Sequence, residues 1–321
     1  MLLPTAATAS FSSRRLPPPV RTQGGVGAPL LTGAAKFRAP TTRLQRSSSF
    51  TFSFSCACSP SPDPTPGDED SARVLFDVRP LWLTNHDLSQ DIPWEPDDIW
   101  RTFAAYFLVL HIPLSFGGLG VVAKVLHSSS LDPLTTVAST AMLQLGELTL
   151  ALTLLQYTAK PHHEVRTFFA GKFSLQRSWV KETALWFGCI MSVVSLTSLL
   201  ADKLIGPEDA YDHILKEILS DGPTSSLLCF FLYSVIAPLS EEMIYRGFLL
   251  TGLSSSMKQR DAVIISSIMF SVAHLSGKSF FQLFIIGCTT GLAYCQTGTL
   301  ASSFTIHSLY NAVILFTMIR S

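Results

Sequence analysis

The sequence predicts an all-α polytopic membrane helix bundle of about seven transmembrane helices, preceded by a disordered transit peptide. Three observations carry this. Only 14% of the 321 residues are charged, against about 25% in ordinary soluble domains, and the mean hydropathy is +0.35. From Arg101 to the C-terminus, apolar segments of about 20 residues, the length that crosses a bilayer core, follow one another closely. Inside one of them, Leu227 to Leu250, two adjacent glutamates, Glu241 and Glu242, precede Arg246 by about one helical turn. Ionisable groups at membrane depth are expensive and mark functional sites by default. The formal net charge is zero, so no basic surface points to nucleic acid.

Residues 1–62 contain no Asp or Glu but carry Arg14, Arg15, Arg21, Lys36, Arg38, Arg43 and Arg46 among many Ser, Thr, Pro and Ala. Such a leader reads as an organellar transit peptide, and it lacks the compact apolar core of a secretory signal. Its proline content and weak helical periodicity favour the chloroplast, with cleavage near Ser55–Cys58, so residues 1–58 are assigned to it. Residues 59–100 read as a linker and interfacial segment. Trp82, Trp94 and Trp100 there alternate with acidic residues, and tryptophan favours the membrane–water boundary; a solvated extension fits equally.

Residues 101–321 form the membrane domain. Its candidate spans are roughly 102–124, 133–158, 180–201, 225–250, 261–276, 279–297 and 299–319. The last four are close together and predict tight antiparallel hairpins. The fifth is short for a full crossing. Loop charge suggests an orientation. Lys160, Arg166, Lys172, Arg177 and Lys181 lie between the second and third spans, and Lys258 and Arg260 between the fourth and fifth. With seven spans both basic loops share the N-terminal side, which the positive-inside bias places in the stroma. No internal repeat supports an inverted-repeat transporter. No Cys-x-x-Cys pair is present, which speaks against a cysteine zinc site or redox motif.

On a helix, Glu242 and Arg246 stack on one face and can form an i,i+4 ion pair. Glu241 points about 100° away and is free for other work, suited to a general base. Pro238, just upstream, is expected to kink the helix. Two later segments each carry a histidine, in Phe270-Ser-Val-Ala-His274 and His307-Ser-Leu-Tyr-Asn311. A single histidine in an apolar helix is ordinarily a packing residue. Two of them, joined by an intramembrane carboxylate, are what a hydrolytic site needs to hold and deprotonate a water. The same donors, Glu241, His274 and His307, could instead bind zinc and leave a position open. Asn311 offers an amide donor to a developing oxyanion.

Glu-Glu-x-x-x-Arg, Phe-x-x-x-His and His-x-x-x-Asn, in that order on successive helices, resemble the CAAX protease and bacteriocin-processing family of intramembrane proteases, whose eukaryotic members include type II CAAX prenyl endopeptidases. The resemblance covers about residues 225–321. It implies an endopeptidase in which Glu241 activates a water, His274 helps position it, and His307 with Asn311 stabilises the oxyanion. Glu242, Arg246 and Phe270 would support them. The implied partners are the lipid bilayer and a membrane protein or lipidated peptide substrate; the leader, for its part, points to a chloroplast membrane, thylakoid or inner envelope. The family has been described both as metal-dependent and as metal-free, and nothing here resembles the His-Glu-x-x-His zinc signature. A different class of function stays open: a non-catalytic scaffold that stabilises other membrane proteins.

Other polar residues are less telling. Gln144 and Glu147 share one face of the second span and would either partner Arg246 or line the cavity, with a shallow solvated position equally open. His111, with Pro113, Gly117 and Gly118, marks an irregular first span.

Overall fold

A computed structural model describes residue 88 and residues 92–174, 179–204, 213–277 and 279–320. The assigned transit peptide and most of the linker lie outside these residues. The chain divides into two units, and every described residue belongs to the one containing Val78–Ser321.

In chain order the helices are α1 Pro96–Val125 and α2 Pro133–Thr158, α3 Val165–Lys172, α4 Trp179–Leu204, α5 His213–Asp221, α6 Pro223–Leu253, α7 Gln259–Ala273, α8 Phe280–Thr297 and α9 Leu300–Arg320. There is no strand among the described residues. Five of these helices are long and apolar enough to cross a membrane: α1, α2, the Trp179–Thr197 part of α4, α6 and α9. The molecule is a multi-pass membrane protein. The fifth and sixth predicted segments are helical as expected, as α7 and α8, but fall outside that group. With 15 residues, α7 is about 22 Å long, short of a hydrocarbon core of about 30 Å.

Local chemistry sets several ends. Asp132 caps α2: its carboxylate accepts from the Thr135 N–H at 3.0 Å, and that bond holds its pKa below the usual carboxylate range. Pro133 follows at the first helical position, where its missing N–H costs nothing. α1 opens six residues earlier than its apolar pattern, on Pro96, Asp97 and Asp98, a start favoured by proline and by acidic residues against the helix dipole. Gly298 adopts φ 69° and its N–H bonds to the Tyr294 carbonyl, closing α8 so that α9 can begin at Leu300.

The centre of the bundle is α6. In its most apolar window 61% of residues are buried, followed by 44% for α9, against 11% for α1 and 17% for α4. α7 and α8 pack as an antiparallel hairpin against α6, and α4 lies along α8 and α9. α2 runs beside α5 and α6. Outward positions on α1, α2 and α4 present large apolar side chains such as Val109, Met142 and Leu196, as lipid-facing helices do. Trp94, from the segment expected at the interface, is buried instead. Its ring meets Phe248 and Phe168 edge-on at 4.8 and 5.4 Å, and its indole N–H donates to the Leu155 carbonyl at 2.9 Å.

Both prolines inside spanning helices follow wide π-type turns, Tyr106–His111 before Pro113 and Leu232–Ile236 before Pro238. A proline lacks the N–H and its ring clashes with the carbonyl one turn back. A wider turn makes room for it, so α6 continues through Pro238.

Candidate active site

The site is assembled from α6, α7 and α9, with α1 and α2 closing the other side. Its cavity of about 100 Å³ is lined by Glu241, His274, His307 and Asn311 among others, well above the roughly 10–15 Å³ that one water needs. The four sequence-predicted catalytic residues therefore converge on one space.

The two adjacent glutamates have different surroundings. Glu242 is fully buried. Its Oε1 lies 3.2 Å from Arg246 Nη1 and 2.8 Å from His307 Nδ1. The Arg246 approach is an ion pair without a hydrogen bond at Nη1; the guanidinium donates from Nη2 to the Gly287 carbonyl at 3.2 Å. It also lies over the Phe270 ring at 4.6 Å, a cation–π contact that helps hold a charge in a dry site. Phe270 meets the rings of His274 and His307 edge-on at 4.8 and 5.9 Å. All three expected supporting residues thus touch one another or the histidines.

Glu241 keeps 22% of its side chain exposed and turns to the cavity. Its carboxylate oxygens lie 4.0 Å from His274 Nε2 and 3.6 Å from His307 Nε2. The far nitrogens settle the protons on these rings. His274 Nδ1 is 2.8 Å from the Phe270 carbonyl, which only accepts, so Nδ1 carries the hydrogen. In the neutral ring Nε2 then presents a lone pair towards Glu241. His307 Nδ1 donates to Glu242 in the same sense, the carboxylate–histidine arrangement that orients an imidazole. The 4.0 Å gap between His274 and Glu241 is too long for a direct bond and is one that a single bridging water spans.

Asn311 donates through Nδ2 to the Tyr233 carbonyl at 2.9 Å. Because a carbonyl cannot donate, the amide orientation follows, and the second N–H of the amide remains to serve a ligand oxygen. The Tyr233 carbonyl was not legible in the sequence, since any residue supplies one.

Two histidine nitrogens and a carboxylate are suitable zinc donors, and here the two Nε2 atoms lie 4.0 and 3.6 Å from the Glu241 oxygens. Among the described residues no group of three or more His, Cys, Asp or Glu is arranged to hold a metal ion. No step below passes through a metal.

On the other side of the cavity stands a cluster the sequence did not assemble. Glu147, on α2, is 1% exposed. It does not partner Arg246. Its carboxylate accepts from Tyr106 and Ser115, each at 2.9 Å, and lies 2.8 Å from His111 Nδ1. Tyr106 and His111 are five residues apart, about 140° on a regular helix, and the π-type turn brings both to Glu147. A reading based on 3.6 residues per turn has no signal for that.

Residues 223–313 match the family model described as type II CAAX prenyl endopeptidase Rce1-like. The membrane-embedded CAAX protease MroQ of Staphylococcus aureus (strain USA300) is 27% identical over 143 residues, covering 42% of this chain and 57% of that protein. An uncharacterized protein of Mycoplasma capricolum subsp. capricolum is 33% identical over 90 residues, covering 27% of this chain and 26% of that protein. The chain therefore spans just over half of the first relative and about a quarter of the second. No solved structure matches. The matched window contains Glu241, Glu242, Arg246, Phe270, His274, His307 and Asn311 and ends where their geometry ends. Over residues 223–313 this multi-pass membrane protein is similar to the Rce1-like type II CAAX prenyl endopeptidases.

Proposed function

We propose that the chain is an intramembrane endopeptidase of the CAAX prenyl protease type, hydrolysing a peptide bond of a membrane-associated or prenylated protein with a glutamate-activated water. The observation that carries this is the division of labour between neighbours: Glu242 is taken up by Arg246 and His307, while Glu241 faces the cavity and both histidine Nε2 atoms.

In the proposed reaction a water lies between Glu241 and His274, donating one hydrogen bond to each. That leaves an oxygen lone pair for the substrate. Glu241 takes one proton as the water oxygen bonds to the peptide carbonyl carbon. The carbonyl π pair moves to its oxygen, which accepts from the second N–H of Asn311 and from His307. Donation by His307 Nε2 requires that ring to hold both protons between the two carboxylates. Collapse re-forms the carbonyl, breaks the C–N bond, and passes the proton from Glu241 to the leaving amine.

Residues 1–58 fit a chloroplast transit peptide, and we place the mature protein in a chloroplast membrane on that ground. The test of the reaction is cleavage of a lipidated or membrane-anchored peptide by purified protein. Glu241→Gln keeps the shape, removes the base, and should lower the rate by about 10²–10⁴. His274→Ala and His307→Ala should be comparably damaging. If all three variants replace the wild type fully in a null plant, the peptidase reading fails and the scaffold takes its place.

A further inference from the structure

The His111–Glu147 cluster lies outside the family-matched residues and takes no part in the reaction above, yet it opens onto the same cavity. A carboxylate buried in a membrane helix is expensive, and three donors converge on this one. Something must be gained by holding His111 so firmly. The other end of the ring shows what. His111 Nε2 lies 3.2 Å from the Ala273 carbonyl, which only accepts, so Nε2 carries a hydrogen and donates it. Ala273 is the last residue of α7, a position whose carbonyl has no partner within its own helix. His274 follows immediately. The chain then leaves through Leu275 at φ 48°, a left-handed conformation that a non-glycine residue rarely adopts and that persists only where its surroundings hold it.

We propose that His111, held by Glu147, is a positioning residue that clamps the end of α7 and so sets His274 in the cavity. One face of α1 thereby reaches across to the helix that carries the water-positioning histidine. The link is a hydrogen bond to a backbone carbonyl beside that histidine, and it leaves the His274 ring free for its own bond to Phe270 and for the cavity. The kinetic part of this proposal rests on the peptidase reading; the clamp itself does not.

The experiment uses purified full-length protein and two readouts. The first is hydrogen exchange across residues 268–277, with α9 as reference. His111→Phe keeps a ring and removes the donor, and should raise exchange in that segment by about tenfold while α9 stays unchanged. His111→Gln keeps a donor and should stay closer to wild type. Glu241→Gln should leave the segment unchanged. The second readout is cleavage of a membrane-anchored peptide. In His111→Phe, kcat should fall by about 10²-fold with KM within about threefold, the signature of a displaced catalytic group. Adding His111→Phe to His274→Ala should cost nothing more, because the clamp acts only through His274. Unchanged exchange in His111→Phe, a rise throughout the bundle, an effect on KM alone, or additive losses with His274→Ala would each overturn the clamp. Should His111→Phe not fold, Glu147→Gln carries the same measurements with smaller changes expected in the same direction. If wild type and Glu241→Gln cleave equally, or neither cleaves, it is the peptidase reading that fails, and the exchange data alone then decide the clamp.

Discussion

Glu241 and Glu242 share a helix turn, an apolar environment and a side chain, and differ in what they face. Glu242 has two strong partners and no exposure, so its charge is held in place and unavailable. Glu241 has neighbours at 3.6 and 4.0 Å, close enough to feel them and too far to be bonded. That separation is what lets the proposed reaction use Glu241 as its base with Glu242 as its support. It also makes Arg246 a structural key, since it is the cation beside Glu242 and anchors α6 to α8 through Gly287. Arg246→Ala leaves a buried carboxylate without its cation. We expect a loss of about 3–5 kcal/mol, the range for breaking a buried pair, together with loss of cleavage. Thermal unfolding in detergent measures the first; unchanged melting would show that the pair does not stabilise the fold.

At the scale of elements, close approach and wide turns decide which side chains meet. α7 and α8 touch where Gly287 faces Ser267: a Cβ at Gly287 would lie 2.9 Å from the serine Cβ and 3.0 Å from its Cα. Neither helix backbone can yield cheaply there, and small residues at such crossings are how membrane helices pack closely. Gly287→Ala should therefore destabilise by about 1–3 kcal/mol and weaken cleavage, because the same residue's carbonyl holds Arg246. Gly188, on α4, has open space around it, and Gly188→Ala should be neutral or stabilising by up to about 1 kcal/mol. Equal unfolding temperatures for the two variants would show that the crossing is not tight. The π-type turns matter in the same way. They let Pro113 and Pro238 sit inside continuous helices, and one of them gathers Tyr106 and His111 onto Glu147.

Across the whole molecule, the cavity lies between a matched core, α6 to α9, and two helices, α1 and α2, that the family model does not include. The orientation of that assembly can be tested without activity. Whether α7 and α8 cross the bilayer twice or turn back without crossing, the number of crossings changes by two and parity is preserved. Both basic loops should then share one side, and the C-terminal end of α9 should face the other. In a background with the native cysteines replaced, Lys172→Cys and Arg260→Cys should be labelled from the same face of sealed vesicles and Arg320→Cys from the opposite face. Labelling of all three from one side would remove the arrangement.

Much of this was legible in the chain. Apolar segments gave seven of the helices, six of them to within about three residues, because the bilayer demands a minimum apolar length whatever the packing; the start of α1 and the short helices α3 and α5 lack that signal. The seven residues of the candidate site, which the structure brings together, could be named because each motif lies within one helix, where i,i+4 spacing is a local property: Glu242 and Arg246, Phe270 and His274, His307 and Asn311. What the tertiary structure decided was everything between helices. It turned Glu241 to the histidines and tied Glu242 to His307 across 65 residues of sequence. It gave Asn311 a backbone carbonyl to lean on, drew Trp94 into the bundle, and brought His111 to Glu147 and on to the end of α7. Those contacts join groups far apart in sequence, through backbone atoms that every residue possesses and through π-type turns that break the 3.6-residue period. Spacing along the chain carries no record of them.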